Sequence, residues 1–282
     1  MTNAGKYPRI STALLAVFPL LTMVAAAQQS KKEVSYTVGP KANISITNHY
    51  GSITVRPSGT RQVLVTAISN SEDVSFVNEQ RGNRIELRVE SSRAGSGIAD
   101  YTVLVPTDAF VTLRSSDGIL HAHGLRGDVI LESVSASIEA TDLSGAYVSV
   151  KTLNGSVLLS DIRNSHLNVR SIRGNVSLRN VAGSSAEVHS GSGRISYEGD
   201  PGRMGEYSLT SHTGDLEIAI PVNASVAIKA HSEKGKTDPN LAESFASPTR
   251  TQGNLLLRRG ANSTSSFVLR SFKGNIQVKR TP

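Results

Sequence analysis

The 282-residue chain has no cysteine and no tryptophan, and only 7 Tyr, 6 Phe and 10 Pro. Without cysteine there can be no disulfide framework, no thiolate zinc site, no thiol nucleophile and no lipidated N-terminal cysteine, so packing and hydrogen bonds must hold the fold. With so few aromatics, platforms for stacking sugars are scarce, which weighs against a carbohydrate-cleaving enzyme. Long apolar runs are missing too, with one exception. Ile10 to Val24 follows Lys6 and Arg9, is broken by Pro19 and leads into Ala25, Ala26 and Ala27. That order reads as a secretory signal peptide over residues 1–27, too short for a lasting membrane anchor. The expected product is exported, with no stable membrane span after signal removal, and is periplasmic or secreted and associated with the cell surface.

Positive charge is in modest excess. The chain has 30 Lys and Arg against 23 Asp and Glu, and removal of Lys6 and Arg9 leaves 28 against 23. Such a balance favours an anionic partner, an acidic glycan or an envelope component, without the clustered basic signature of a nucleic-acid binder. No nucleic acid is expected, and no protein partner can be named.

Self-similarity organises the rest. Aligned on glycine, the copies are Val111-Thr-Leu-Arg-Ser-Ser-Asp-Gly118, Val148-Ser-Val-Lys-Thr-Leu-Asn-Gly155, Leu167-Asn-Val-Arg-Ser-Ile-Arg-Gly174, Ala186-Glu-Val-His-Ser-Gly-Ser-Gly193, Tyr207-Ser-Leu-Thr-Ser-His-Thr-Gly214 and Phe267-Val-Leu-Arg-Ser-Phe-Lys-Gly274. Val129 to Ala136 is a further copy with alanine at the glycine position, and Ile44 to Gly51 an early one with Asn48 at the serine position. The first and third positions of each copy are apolar, as are the residues two and four beyond the glycine. A last apolar column is Leu125, Leu143, Ile162 and Val181. This is period two on both sides of a turn, so each unit is two short strands that cannot bury their apolar face alone. Stacking the units gives an all-β, parallel β-solenoid, β-helix-like, of about 18–21-residue coils. Residues 28–105 are expected to form an N-terminal β cap and first coil, and residues 106–282 the solenoid repeats, with an excursion loop near 236–264. The glycine column predicts a corner that needs positive φ or a close backbone approach. The hydroxyl column three residues earlier predicts a ladder satisfying turn amides.

Outward positions are where binding chemistry belongs. The fourth position of the repeat holds Thr47, Arg114, Glu132, Lys151, Arg170, His189, Thr210 and Arg270. Like charges stacked a strand apart repel, so such a column needs solvent, the offset of Glu132 or an anionic ligand. Arg114, Lys151, Arg170, His189 and Arg270 are the candidate ligand contacts. No residue is expected to be catalytic: the serines form a column where a nucleophile would be singular, and Glu132, Glu139, Glu187 and Glu217 read as scattered acids, not an acid–base pair. No metal and no cofactor are expected. His121 and His123 share one side of a strand without a third ligand or an HExxH-like spacing, and Asp142, Asp161 and Asn180 read as Asx turn residues.

The Ser-x-x-Gly-[Asn/Asp/Ser]-hydrophobic-x-hydrophobic unit, together with the run from Ser211 through Gly214 and Pro221 to Val226 and the pairs Gly174-Asn175, Gly253-Asn254 and Gly274-Asn275, resembles bacterial proteins of the DUF4097 group. That group is an adhesin domain related to the GIN adhesin-head domain, and the likeness runs from about Ile44 to Val278. The resemblance implies a β-solenoid with an adhesive or envelope-associated role and carries over no catalytic residues. The combined expectation is an exported non-enzymatic adhesin or envelope-associated protein that contacts an anionic glycan or envelope polymer through stacked outward ladders. The alternatives are a polysaccharide-processing β-helix enzyme and a periplasmic scaffold or stress-sensing partner.

Overall fold

A computed structural model describes residues 30–71, 73–91, 97–239, 249–251, 254–259 and 264–281. The signal expected over residues 1–27 lies outside them. Among the described residues the regular elements are all strands, 23 of them, hydrogen-bonded into a single mostly parallel sheet wound as a β-solenoid. The period-two columns explain the winding. Val150 pairs with Val169 and Val169 with Val188, each partner 19 residues on, and all three are buried. The columns read as inward-facing, from Ile44 to Phe267, Ile46 to Leu269, Ile53 to Ile276 and Val55 to Val278, are buried throughout. Leu125, Leu143, Ile162 and Val181 close a short third side, where isolated bridges join Ser144 to Arg163 and Arg163 to Ala182.

Two corners use different backbone chemistry. At the glycine corner the turn keeps its amides pointing along the axis: Leu153 N–H donates to Ser133 O at 3.3 Å, Ile172 N–H to Thr152 O at 3.1 Å and Gly191 N–H to Ser171 O at 3.0 Å. The coils therefore touch backbone to backbone, and a Cβ at Gly174 would lie 1.8 Å from Gly155 O. Gly155, Gly174, Gly193, Gly214 and Gly274 do not have positive φ, so close approach is the constraint along most of this column. In the glycine column Gly51 (φ 112°) and Gly118 (φ 114°) have positive φ, and a second positive-φ column lies elsewhere. It runs through Gly124 (φ 70°), Asp142 (54°), Asp161 (55°), Asn180 (51°) and Gly199 (133°). Asx residues tolerate that conformation better than other side chains, which is the physical reason for the acidic and amide column.

The hydroxyl ladder works in two ways. Gly155 N–H donates to Thr152 Oγ1 at 2.9 Å and Gly274 N–H to Ser271 Oγ at 2.8 Å, as a turn cap should. Ser133, Ser171 and Ser190 instead donate to the carbonyl three residues on, Ala136, Gly174 and Gly193, at 2.9, 2.7 and 2.9 Å.

At both ends the coils are stacked out of chain order. Near the N-terminus, strand Asn43–Ser58 lies between Phe110–His123 on one side and the later segments Arg84–Ser91 and Ala99–Pro106 on the other, all parallel. Antiparallel strands then continue the sheet outward: Val74–Arg81 on Arg84–Ser91, Gln62–Ser69 on Ala99–Pro106, and Ser30–Thr37 on Gln62–Ser69. Near the C-terminus, Ser265–Ser271 is inserted between Glu206–Ser211 and Val226–Ser232. Likewise Ile276–Thr281 is inserted between Leu216–Pro221 and Thr237–Pro239. The copy starting at Phe267 is last in the chain but not last in space. Outside it sits a copy that the glycine alignment does not include, Val226 to Gly235, with Ile228 paired to Phe267, Ala230 to Leu269 and Ser232 to Ser271. Within the segment read as an excursion loop, Asn254–Arg259 pairs antiparallel with Val226–Ser232, and Thr249–Thr251 pairs with Asn254–Arg259.

An aromatic plug fills the interior where the step lengthens from Ala186 to Tyr207. Tyr207 stacks on Phe267 at 4.4 Å between centroids, and Tyr197 meets them edge-on at 5.2 and 5.0 Å. Both phenols donate to Val181 O, Tyr197 at 2.7 Å and Tyr207 at 2.9 Å, and burial pushes the Tyr207 hydroxyl up to about 12.

Two measurements check this packing. Gly174→Ala should lose more than about 2 kcal/mol in denaturant unfolding, because the obstacle is backbone that cannot move aside, while Gly59→Ala, with open space around it, should stay within about 0.5 kcal/mol of the parent. Tyr207→Phe keeps the ring stack but removes the hydroxyl donor. It should cost about 1 kcal/mol, since Val181 O retains Tyr197 as a partner.

Candidate ligand-binding face

The strand before the glycine corner alternates strictly, so its fourth position must point outward when the first and third point in. In-register pairing turns that position into a continuous column. Thr47 pairs with Arg114, Arg114 with Glu132, Glu132 with Lys151, Lys151 with Arg170, Arg170 with His189, His189 with Thr210 and Thr210 with Arg270. All five expected contacts, Arg114, Lys151, Arg170, His189 and Arg270, thus stand on one face. At a strand spacing of about 4.8 Å, the six steps from Arg114 to Arg270 span about 29 Å. The column also has two members that the alignment left out: Arg88, paired with Thr47, and His231, paired with Arg270. For His231 the Ser232-x-x-Gly235 spacing was available as a signal. For Arg88 there was none, because that copy lacks the serine and glycine.

The charges along the column are not equivalent. Glu132 sits between two cations, accepting from Arg114 Nε at 2.8 Å and Lys151 Nζ at 3.4 Å. The Arg114 guanidinium holds the Glu132 carboxyl below the usual carboxylate range against partial burial, with Lys151 adding to the effect. His189 Nε2 is 2.8 Å from Glu187 Oε1 on its own strand, and that contact lowers the Glu187 carboxyl. His231 lies 3.2 Å from Glu233 and 2.9 Å from Asn254 Oδ1, and Arg88 lies 3.1 Å from Glu90. Arg170 and Arg270 make no ion pair among the described residues.

Beside this column a groove of about 550 Å³ runs along the face. Thr47, Arg114, Glu132, Lys151 and Arg170 form one wall. His49, Ser116, Val134, Leu153 and Ile172, from the corner turns of successive coils, form the other, and the hydroxyl ladder lies between them. Val134 and Ile172 are half-exposed, at 48% and 54%. Towards the C-terminal end the same turn position becomes aromatic: His212 stacks on Phe272 at 5.0 Å, and Lys234 Nζ stands 4.9 Å from the Phe272 ring centroid.

The remaining candidates fall elsewhere. His121 and His123 lie on the strand after the glycine corner, beside a second groove with Arg56 and Thr141, and His121 pairs with Glu139 at 3.1 Å. Glu217 is on that face too, bound to Lys279 at 2.7 Å. Of the four acids singled out, Glu132 and Glu187 therefore belong to one face and Glu139 and Glu217 to the other, and each is within 3.1 Å of a cationic or imidazole partner. Among the described residues no helix is long and apolar enough to cross a membrane.

Comparison with known proteins gives three kinds of result. No curated protein is matched. Solved structures are matched over most of their length at low identity. A "putative adhesin" from Bacteroides fragilis shares 12% identity, with 90% of this chain and 99% of that one covered at a TM-score of 0.42. A "putative cell adhesion protein" from Clostridium sporogenes shares 11%, with 89% and 100% covered at 0.27. A "putative lipid binding protein" from Parabacteroides distasonis shares 10%, with 89% and 97% covered at 0.36. None is close enough for a residue role to be carried across. The family model described as Toastrack DUF4097 is matched over residues 42–279, which takes in the repeats and the out-of-order coils at both ends. The chain belongs to the Toastrack DUF4097 family.

Proposed function

We propose that this protein is an exported, non-enzymatic binding protein of the cell envelope, adhesin-like, that holds an acidic glycan or envelope polymer along its outward ladder. Arg114, Lys151, Arg170, His189 and Arg270 are the contacts. The observation that carries the reading is their placement in one in-register column about 29 Å long, interrupted only at Glu132 and Thr210, because a charged polymer can meet several such rungs at once. Each contact is weak in water, and a chain held at one rung presents its next charge to the neighbouring rung at high effective concentration. The antiparallel strands at both ends act as caps in this scheme. They take up the open edges that would otherwise recruit another sheet, and Lys31 and Lys32 on the outermost N-terminal strand discourage further pairing.

The test is polymer binding by the purified protein at two salt concentrations. Binding to an acidic envelope polymer should weaken steeply between about 50 and 200 mM salt, as expected for exposed charges screened over about 10 Å. Replacement of all five contacts by Gln should remove it while leaving the melting temperature close to the parent. Unchanged binding in the five-fold variant would retire the column as the contact surface.

A further inference from the structure

A second groove, of about 640 Å³, opens on the strands that follow the glycine corner, apart from the column just described. In-register pairing assembles it. Thr54 pairs with His121 and His121 with Glu139, while His123, two residues on and so on the same side of its strand, pairs with Thr141. Arg56 is likewise two residues beyond Thr54. Its strand stays against the neighbouring one there, since a Cβ at Gly124 would lie 2.9 Å from Pro57 Cγ, so Arg56 stands beside His123. All these side chains line the groove. A guanidinium and two imidazoles thus share one concavity, and Arg56 and His123 make no hydrogen bond or ion pair among the described residues.

The charges select an anion as the occupant. Arg56 and Glu139 cancel while both imidazoles are neutral, and proton uptake by both leaves two net positive charges. An imidazole changes charge between about pH 5 and 8. Glu139 Oε2 lies 3.1 Å from His121 Nδ1 and favours a proton there, which leaves Nε2 an acceptor in the neutral ring and a donor only in the imidazolium. Acid therefore turns the groove into a set of donors. A metal cation is not served, because among the described residues no group of three His, Asp or Glu side chains could hold one. The guanidinium selects further. A carboxylate gripped by its fork has both oxygens engaged, whereas a phosphate or sulfate group keeps other oxygens for the imidazoles.

We infer that this groove is a binding site for a tetrahedral oxyanion, the phosphate or sulfate group of a monoester, taken up in acid and released as the imidazoles lose their protons. Arg56 holds two oxygens, the His121 and His123 imidazoliums donate to the others, and the Thr54 hydroxyl adds a donor. Leu104 and Pro57 supply the apolar part of the lining, against which the organic remainder of the ester rests.

Calorimetric titration of the purified protein with sodium sulfate, at an ionic strength held constant with chloride, tests the site. Sulfate keeps its charge across the range, so any pH dependence belongs to the protein. It should bind about tenfold tighter at pH 5.5 than at pH 8. Arg56→Gln, and His121→Gln with His123→Gln, should each weaken sulfate at pH 5.5 by about tenfold, and the histidine pair should also remove the pH dependence. Circular dichroism melts of the same variants check that each is folded. Gln at the five column contacts should leave sulfate binding unchanged, so failure here and failure of the polymer reading are distinguishable. Fumarate, with the same charge on two planar carboxylates, should bind about tenfold more weakly. Displacement of sulfate by glycerol phosphate would assign a soluble ester, and displacement only by vesicles containing phosphatidate a lipid headgroup. Displacement by neither would overturn the monoester. Fumarate binding as tight as sulfate would overturn the tetrahedral oxyanion. Sulfate binding that ignores pH, or that survives in Arg56→Gln and is lost in the five-fold column variant, would overturn the site.

Discussion

The contact on which the structure depends is the one between a corner and the corner beneath it. Strand pairing alone would tolerate side chains at the turn, but here the turn amides donate to the coil below as the strands do, and the carbonyl of one corner glycine fills the space where the next would carry a Cβ. Buried backbone amides must find partners, and a corner that satisfies them along the axis has to be as thin as the strand spacing. Only glycine is that thin at Gly174, where the nearest backbone atom lies 1.8 Å from an added Cβ. From this constraint follows strict registration of everything outside the core. With corners locked one above another, the strand before the corner cannot slip. A slip of one residue would send Val150, Val169 and Val188 to the solvent and Lys151, Arg170 and His189 into the core.

Locked registration also accounts for the way the ends are built. A parallel stack is open at both ends, and adding one more equivalent coil only moves the open edge. Here each end is turned by interleaving. The segment Arg84–Ser91 and Ala99–Pro106 lies outside an earlier coil, and Ser265–Ser271 with Ile276–Thr281 slides inside one. Each arrangement places an antiparallel strand against the outermost parallel one, Val74–Arg81 at one end and Asn254–Arg259 at the other. Interleaving ties segments far apart in the chain, since Glu206 pairs with Ser266 and Ser265 Oγ donates to Gly202 O across 63 residues. Contacts of that range raise the loop-closure cost of folding, and they also make end coils harder to peel away one at a time.

What was legible in the residues was the transverse pattern. Apolar residues at alternate positions announce which side chains face inward whatever the coil does next, so the columns through Val150 and Leu159 could be read directly, as could the outward run from Arg114 to Arg270. The stacking order was not legible, because a period says that units match and nothing about which neighbours which. The copy at Val226 to Gly235 keeps the repeat spacing, with Ile228, Ala230, Ser232 and Gly235 placed as in the others, but it stands next to a long insertion that interrupts the regular step from copy to copy. The copy at Arg84 to Pro106 is split by its own insertion and has no corner glycine at all. The glycine column shows both of its expected uses, positive φ at Gly51 and Gly118 and close backbone approach at Gly155 to Gly274, whereas the second positive-φ corner is marked by Asp142, Asp161 and Asn180 between Gly124 and Gly199.

The apolar ledge was invisible to the same pattern because turn positions have no period-two meaning; Val134, Leu153 and Ile172 become a surface only when the corners stack. Their consequence is clearest beside the charges. Two unit charges one rung apart in water repel by about 0.9 kcal/mol, and less with salt, so an uncompensated cationic column costs the fold about that much per neighbouring pair. Glu132 recovers the cost at its own rung by serving Arg114 and Lys151 together. Beyond it, Arg170 makes no ion pair among the described residues, and its charge is felt instead by the Glu187 carboxyl on the adjacent strand.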